Sequence, residues 1–476
     1  MDTQTRLMDH GDQTVGPILM DPIDELLTLG KQRCRDTHAQ VLVSLTRPFA
    51  SKLDSIELFT VARRMDDVAS YWSLPANGSW IVGIGTAADI TTEGARRFKQ
   101  AADAVEDLTG SAIIEANNGA GPLFLGGFRF NPDSRRDELW DGFYDGLLTL
   151  PRWMIASQVG GQCSYTANLV LNAQSDVEAL RKRLAVEAQL LLNRSAVSSQ
   201  SVTAPVNRES VADSWGHRVE QALEAIGEGK LNKVTLARTM KLRSKTVIPP
   251  ELVLRSLFRN YPECQTFAFC RRGASFVGAS PEELVSLNGT NVSSTCLAGT
   301  APRGESETTD TELSNWLLKN EKERREHKVV VDWVSERMGA LCSKLTWNEV
   351  PYVLKLGNVQ HLATHFVGTR KDGRYVLDFV EALHPTPAVG GMPLRPALEM
   401  IGRLEDFDRG WYTGPVGWVD GNGNGEFAIA IRCALLQGKE AYLYAGDGIV
   451  AGSDPDTEDH ETMMKFKPLL TALGAL

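Results

Sequence analysis

From about Val211 onward, short apolar runs follow one another with only turn residues between them: TFAFC, SFVGAS, ELVSLNG and NVSSTCLAG, punctuated by Gly, Pro and Asn. That spacing predicts neighbouring strands of an antiparallel sheet. LNKVTLARTMKLR reads as a further strand. GPVGWVDGNGNGEFAIAIRCALL reads as two strands joined by a glycine/asparagine hairpin. AYLYAGDGIVAG reads as a strand before a final helix, and a long helix is expected from about Thr311 to Leu345. Strands and helices do not alternate strictly, so the fold class is α+β with large antiparallel sheets.

The first part of the chain is less regular. Residues 1–20 are polar and expected to be loose. Residues 21–195 mix both patterns: GSWIVGIGTAADI enters a turn as a strand, GPLFLGGFRFNP is a strand around Gly126–Gly127, and Asp176–Asn193 has helical periodicity. The serine-rich stretch 196–210 reads as a linker or surface loop, which sets 211–476 apart as a second region. Trp215, Val219, Leu223 and Ile226 then fall at helical spacing, and Gly227 and Gly229 end that helix.

Bulk properties narrow the function. A 476-residue chain with 42% hydrophobic residues suits a globular protein of two or three domains, or one large one. The formal net charge is -10 and no Lys/Arg cluster stands out, which argues against nucleic acid as a partner. No apolar run approaches a membrane span and the N-terminus has no secretory pattern, so a cytoplasmic protein is expected. Seven cysteines without a CxxC fit buried, reduced thiols.

Two acidic pairs carry the chemistry. Glu323 and Glu326 lie in KNEKERREHKVVVDWV, and Glu458 and Glu461 in GSDPDTEDHETMMKF. Spacing i, i+3 puts each pair on one helix face. Stepping back from Val330 by threes and fours reaches Glu326 and Glu323, so they extend a stripe that Val330, Trp333, Val334 and Leu341 mark as buried. Four carboxylates converging from two helices need a hard divalent cation, and Mg²⁺ is the usual one. Taken alone, each pair also suits a solvated charge run or a first-turn complement to the helix dipole. Period two in FAIAIRCALL sets Arg432 on a face with Ala428 and Ala430, where its planar fork could meet a carboxylate. Gly446 and Gly448 could bring backbone N–H groups close to an anion, or simply make a turn. Gly83 and Gly85 lack a dinucleotide fingerprint and are assigned to packing. Lys233, mid-strand, is on general grounds an exposed residue.

GASPEELV, CLAGTAPRG, EKERREHKVVVDWV, VQHLATHFVGT, LHPTPAVGGMP, FDRGWYTGPVGWVD, GNGEFAIAIRCALL and AGDGIVAGSDP, in that order, resemble the chorismate-utilising enzymes, isochorismate synthases most of all. The likeness is dense over 211–476 and faint before it. It implies two antiparallel sheets packed together with helices outside and a cleft between the halves. Glu326 and Glu461 would be direct Mg²⁺ ligands, with Glu323 and Glu458 acting through water. Arg432 and the backbone near Gly446 would hold the substrate carboxylate, and Thr300 and His361 would line the pocket. Glu282 would be the general acid. Lys233 matches the position of the base in water-using members, where ammonia-using members carry glutamine. Ala298 stands where aminodeoxychorismate synthases carry a nucleophilic lysine. The resemblance therefore implies water as nucleophile, chorismate as substrate, no glutaminase subunit, and a monomer or homodimer. A lysine base must be neutral, which burial or a nearby cation would favour.

Two departures stand out: Asp447, where a small residue is more usual, and Asp459, where an aromatic often sits. Salicylate synthase, which goes on to eliminate pyruvate from isochorismate, shares the lysine and glutamate. LHPTPAVGG tilts toward isochorismate synthase. A Mg²⁺-dependent phosphoryl hydrolase would need a phosphate-gripping motif that is absent. A degenerate binding protein would have lost Lys233 or Glu282. Isochorismate feeds menaquinone, siderophore and salicylate pathways, and nothing in the residues chooses among them.

Overall fold

The computed structural model describes residues 23–49, 53–116, 121–192, 206–208 and 214–475. The expected strands pair as sequence neighbours: Gln265–Arg271 with Ala274–Ser280, and Glu283–Asn288 with Asn291–Pro302. In the first hairpin Arg272 and Gly273 both have positive φ, the geometry that a two-residue turn needs to follow the strand twist.

Two sheets result, of 13 and 10 strands among the described residues. In the larger sheet Lys233–Ser244 lies beside Glu440–Val450, followed by Cys433–Gln437, Ala274–Ser280 and Gln265–Arg271. The order then crosses to strands of the first 200 residues, from Ala69–Leu74 to Val41–Phe49. The smaller sheet runs from Cys342–Trp347 through Val359–Arg370, Asn291–Pro302, Glu283–Asn288, Gly425–Ile429 and Pro415–Asp420, then to Leu123–Phe128, Gly146–Leu150 and Ala88–Thr92. Among the described strands, pairing is antiparallel except for Val41–Phe49 against Ile113–Ala116. An aromatic core joins the sheets, with Trp72, Phe267 and Phe276 from one and Leu125, Val416 and Ala428 from the other. Helices cover the outer faces over two further apolar clusters.

Three local expectations need correction. The single helix from Thr311 to Leu345 is two helices, Glu307–Lys319 and Glu321–Leu341. Asn320 breaks them because its side chain caps the second, accepting the Glu323 N–H at 3.1 Å. Cys342–Trp347 is a strand. FAIAIRCALL is likewise two strands in different sheets, Gly425–Ile429 and Cys433–Gln437. Arg432 lies in the crossing with φ 51°, outside any period-two face. Gly446 and Gly448 make no turn; they lie inside Glu440–Val450, opposite Ala237 and Thr235. Of the stretch 196–210, residues 206–208 form a short strand paired with 242–244; the remainder, like 1–20, lies outside the described residues.

Candidate active site

The chain passes from one sheet to the other at two neighbouring places, and each passage carries a site residue. Ala274–Ser280 belongs to the larger sheet and Glu283–Asn288 to the smaller, with Glu282 between them. Arg432 occupies the return passage. The passages are tied together: Ser280 Oγ donates to Ile429 O at 2.6 Å, the Ile429 N–H to Glu282 O at 3.1 Å, and the Ala279 N–H to Arg432 O at 3.2 Å. The backbone thus holds both side chains in one cleft, with about 660 Å³ of atom-free space, lined also by Ala298, Thr300, His361, Tyr412 and Gly446.

Glu282 is buried, and burial raises its pKa to about 8 against the opposing effects of Lys233 and Arg432. A bulge in Asn291–Pro302, between Ala298 and Thr300, turns Thr300 toward His361. Arg432 Nη2 lies 3.3 Å from His361 Nε2, and His361 Nδ1 lies 3.1 Å from Thr300 Oγ1. Burial first, then Arg432 and Lys465, push the pKa of His361 down to about 3. The ring is therefore neutral, and an arginine donor on Nε2 leaves the proton on Nδ1.

The opposite wall is charged. Lys233 opens the strand Lys233–Ser244 and is 1% exposed, so the general expectation of an exposed lysine fails. Its Nζ donates to Glu326 Oε1 at 2.8 Å, so its neighbour is an anion and not a cation. This pair needs Gly448: a Cβ there would lie 2.7 Å from Glu326 Oε1 and 2.8 Å from Lys233 Cε. Glu323 accepts the Thr300 N–H at 3.0 Å; burial, with Glu326, raises its pKa to about 7. Glu323 and Glu326, on the helix Glu321–Leu341, both face inward, in line with the stripe. Glu458 is fully buried beside Lys322 at 3.1 Å. Lys465 reaches Glu461 at 2.8 Å, Asp447 at 2.9 Å and Gly446 O at 3.0 Å. Burial works to raise the pKa of Glu461, but Lys465 holds it below the usual range. One oxygen from each of Asp447, Glu458 and Glu461 lies within 4.8 Å of the others.

The two sequence departures separate here. Asp459 points outward, half exposed, and pairs with Arg238 at 2.6 Å. Asp447 points inward and is buried. Lys322, Lys465 and Tyr412 were missed as site residues. The spacing of Lys465, one turn after Glu461 in ETMMK, was a usable signal; that of Tyr412 was not.

A model of chorismate-binding enzymes matches residues 29–474. The chain belongs to the chorismate-binding enzyme family. Within it, the chain is 35% identical to the isochorismate synthase MenF of Bacillus subtilis, over 93% of this chain and 95% of that one. It is 34% identical to the salicylate biosynthesis isochorismate synthase of Pseudomonas aeruginosa, over 89% and 88%. Among solved structures, the menaquinone-specific isochorismate synthase MenF of Escherichia coli superposes with a TM-score of 0.76 at 25% identity, covering 94% of this chain and 99% of that one. The two-sheet fold read from the motifs is thus the family fold.

Proposed function

We propose that this chain is an isochorismate synthase, converting chorismate to isochorismate with water as the nucleophile. The observation that carries the reading is a buried, proton-retaining glutamate in the cleft, Glu282, with the buried Lys233 near enough to act on its charge and bonded to Glu326 of the same lining. Kinship with isochorismate synthases over nearly the whole chain supports it.

In its neutral form Lys233 takes a proton from water as the water oxygen bonds to C2, which gives the ammonium that pairs with Glu326. The ring double bonds shift, and the C4–O bond breaks. Glu282 gives its proton to the departing C4 hydroxyl, which leaves as water. One water enters and one leaves, so the net change is an isomerisation. A glutamate with a pKa near 8 holds its proton at neutral pH, as a general acid must. Arg432 and the backbone at Gly446 bind substrate carboxylate. Neutral His361, fixed by Arg432 and Thr300, shapes the pocket without adding charge.

The acidic wall fits a hard divalent cation. Its donors are all carboxylate oxygens, and one buried Asp447 oxygen has no hydrogen-bond partner among the described residues. We take the ion to be Mg²⁺, held directly by Glu326 and Glu461 and through water by Glu323 and Glu458. When bound, it would neutralise the substrate's ring carboxylate and draw electron density from the ring. Lysine at 233 and alanine at 298 favour a chain that works without a glutaminase subunit. Residues 21–195 are taken to complete both sheets, and 211–476 to carry the chemistry. No described helix is long and apolar enough to cross a membrane, and the seven cysteines are unpaired and buried, in keeping with a cytoplasmic enzyme.

The test is product analysis after incubation with chorismate and Mg²⁺. Isochorismate without pyruvate is expected. Salicylate with equimolar pyruvate would move the chain to salicylate synthase, and no turnover would sink the catalytic reading.

A further inference from the structure

Asp447 is an acidic side chain of the cleft that the mechanism leaves without work. It lies on the strand Glu440–Val450 between Gly446 and Gly448, opposite Leu236. Its Oδ1 is satisfied twice, by the Gly448 N–H at 2.8 Å and by Lys465 Nζ at 2.9 Å. Its Oδ2 is buried with no hydrogen-bond partner among the described residues. The residue is 5% exposed, so water does not serve it freely. A buried carboxylate oxygen left unpaired is costly unless a cation meets it.

A counter-ion role for Lys465 does not account for it. Lys465 already has Glu461 at 2.8 Å and the Gly446 carbonyl at 3.0 Å. Charge at the cluster points the same way. Among the described residues, Glu323, Glu326, Glu458, Glu461 and Asp447 pair only with Lys233, Lys322 and Lys465. The acids thus outnumber the lysines that face them, and a divalent cation would offset the excess. An oxygen of Asp447 also lies within 4.8 Å of oxygens of Glu458 and Glu461, a spacing at which three carboxylates can share one ion.

We propose that Asp447 is a fifth carboxylate of the cation site and a direct ligand beside Glu461, with Glu458 in reach through water, so that a divalent cation binds without waiting for substrate. This rests on the proposed metal-dependent reaction and adds a ligand to it. It has a cost. Once the ion is bound, an Asp447 carboxylate leaves the cluster one charge less positive than a small residue would, so it attracts a dianionic substrate less.

The experiment is calorimetric titration of Mn²⁺ and of Mg²⁺ into metal-free protein, without chorismate, for the parent, Asp447→Ala and Asp447→Asn. The asparagine oxygen can still accept the Gly448 N–H, so that variant decides if the alanine variant does not fold. Both variants are expected to lose about tenfold or more in cation affinity. At saturating metal, their KM for chorismate is expected to fall. Unchanged cation affinity in a folded variant overturns the inference and leaves Asp447 as a partner of Lys465. If the parent binds cation through Asp447 but does not turn over chorismate, the functional reading fails while this one stands.

Discussion

The two walls of the cleft solve opposite problems. The wall made by the sheet crossings, with Glu282, His361 and Arg432, is set by backbone, and its two titratable groups are neutral because burial disfavours their charged forms. The wall made by the helices Glu321–Leu341 and Pro455–Leu473 and the strand ends is crowded with charge, and lysines on the same elements hold it together. One wall keeps a proton at neutral pH; the other keeps anions ready for a cation. The proposed base and the proposed acid come from different walls, so on that reading neither wall is catalytic alone.

The sharpest break removes one partner from each wall. Lys233→Ala and Glu282→Gln are each expected to lower kcat by about 10²–10⁴-fold, with folding retained by circular dichroism, and steady-state assays of chorismate consumption check this. Equal losses would fit a base and an acid acting in one step. A loss confined to KM would demote either residue to binding.

Next, Glu461→Gln is expected to reduce cation affinity while leaving the dry wall untouched. Its defect should be partly relieved by raising Mg²⁺ concentration, whereas that of Glu282→Gln should not. A Mg²⁺ titration of initial rates separates them.

The pH profile reads the dry wall directly. As the proposed general acid Glu282 would act in its protonated form, and its pKa is raised to about 8. Activity should therefore persist below about pH 8 and fall as pH rises through that value. That alkaline limb should vanish in the residual rate of Glu282→Gln. Persistence of the limb would assign it to another group.

Gly448→Ala tests how tightly the charged wall is packed. The new methyl would crowd Glu326 and Lys233 at under 3 Å, and a loss of about tenfold to a hundredfold in kcat is expected. The smallest effect on catalysis belongs to Asp459→Asn, whose half-exposed carboxylate pairs with the buried Arg238. A stability loss of about 1–2 kcal/mol and near-normal kinetics are expected by thermal melting and assay.

Local pattern determined a good deal of this protein. Period two and turn residues located the strands, and the i, i+3 spacing located two acidic helix faces. The ordered motifs named the family fold and marked Lys233, Glu282, Arg432 and His361 for one site. What local pattern could not decide were events that depend on partners distant in sequence. FAIAIRCALL is apolar throughout except for Arg432, and nothing in it announces that its halves belong to different sheets; only pairing with Glu283–Asn288 on one side and Ala274–Ser280 on the other makes Arg432 a crossing residue. Asn320 looks like any polar helix residue until its side chain caps the next turn. Asp447 and Asp459 are both unexpected acids in the same motif region, and tertiary packing alone turned one into the acidic cluster with Glu458 and Glu461 and the other toward Arg238. Burial, which sets proton affinity at Glu282 and His361, is a property of the assembled sheets: a side chain loses its water only when segments from across the chain close over it.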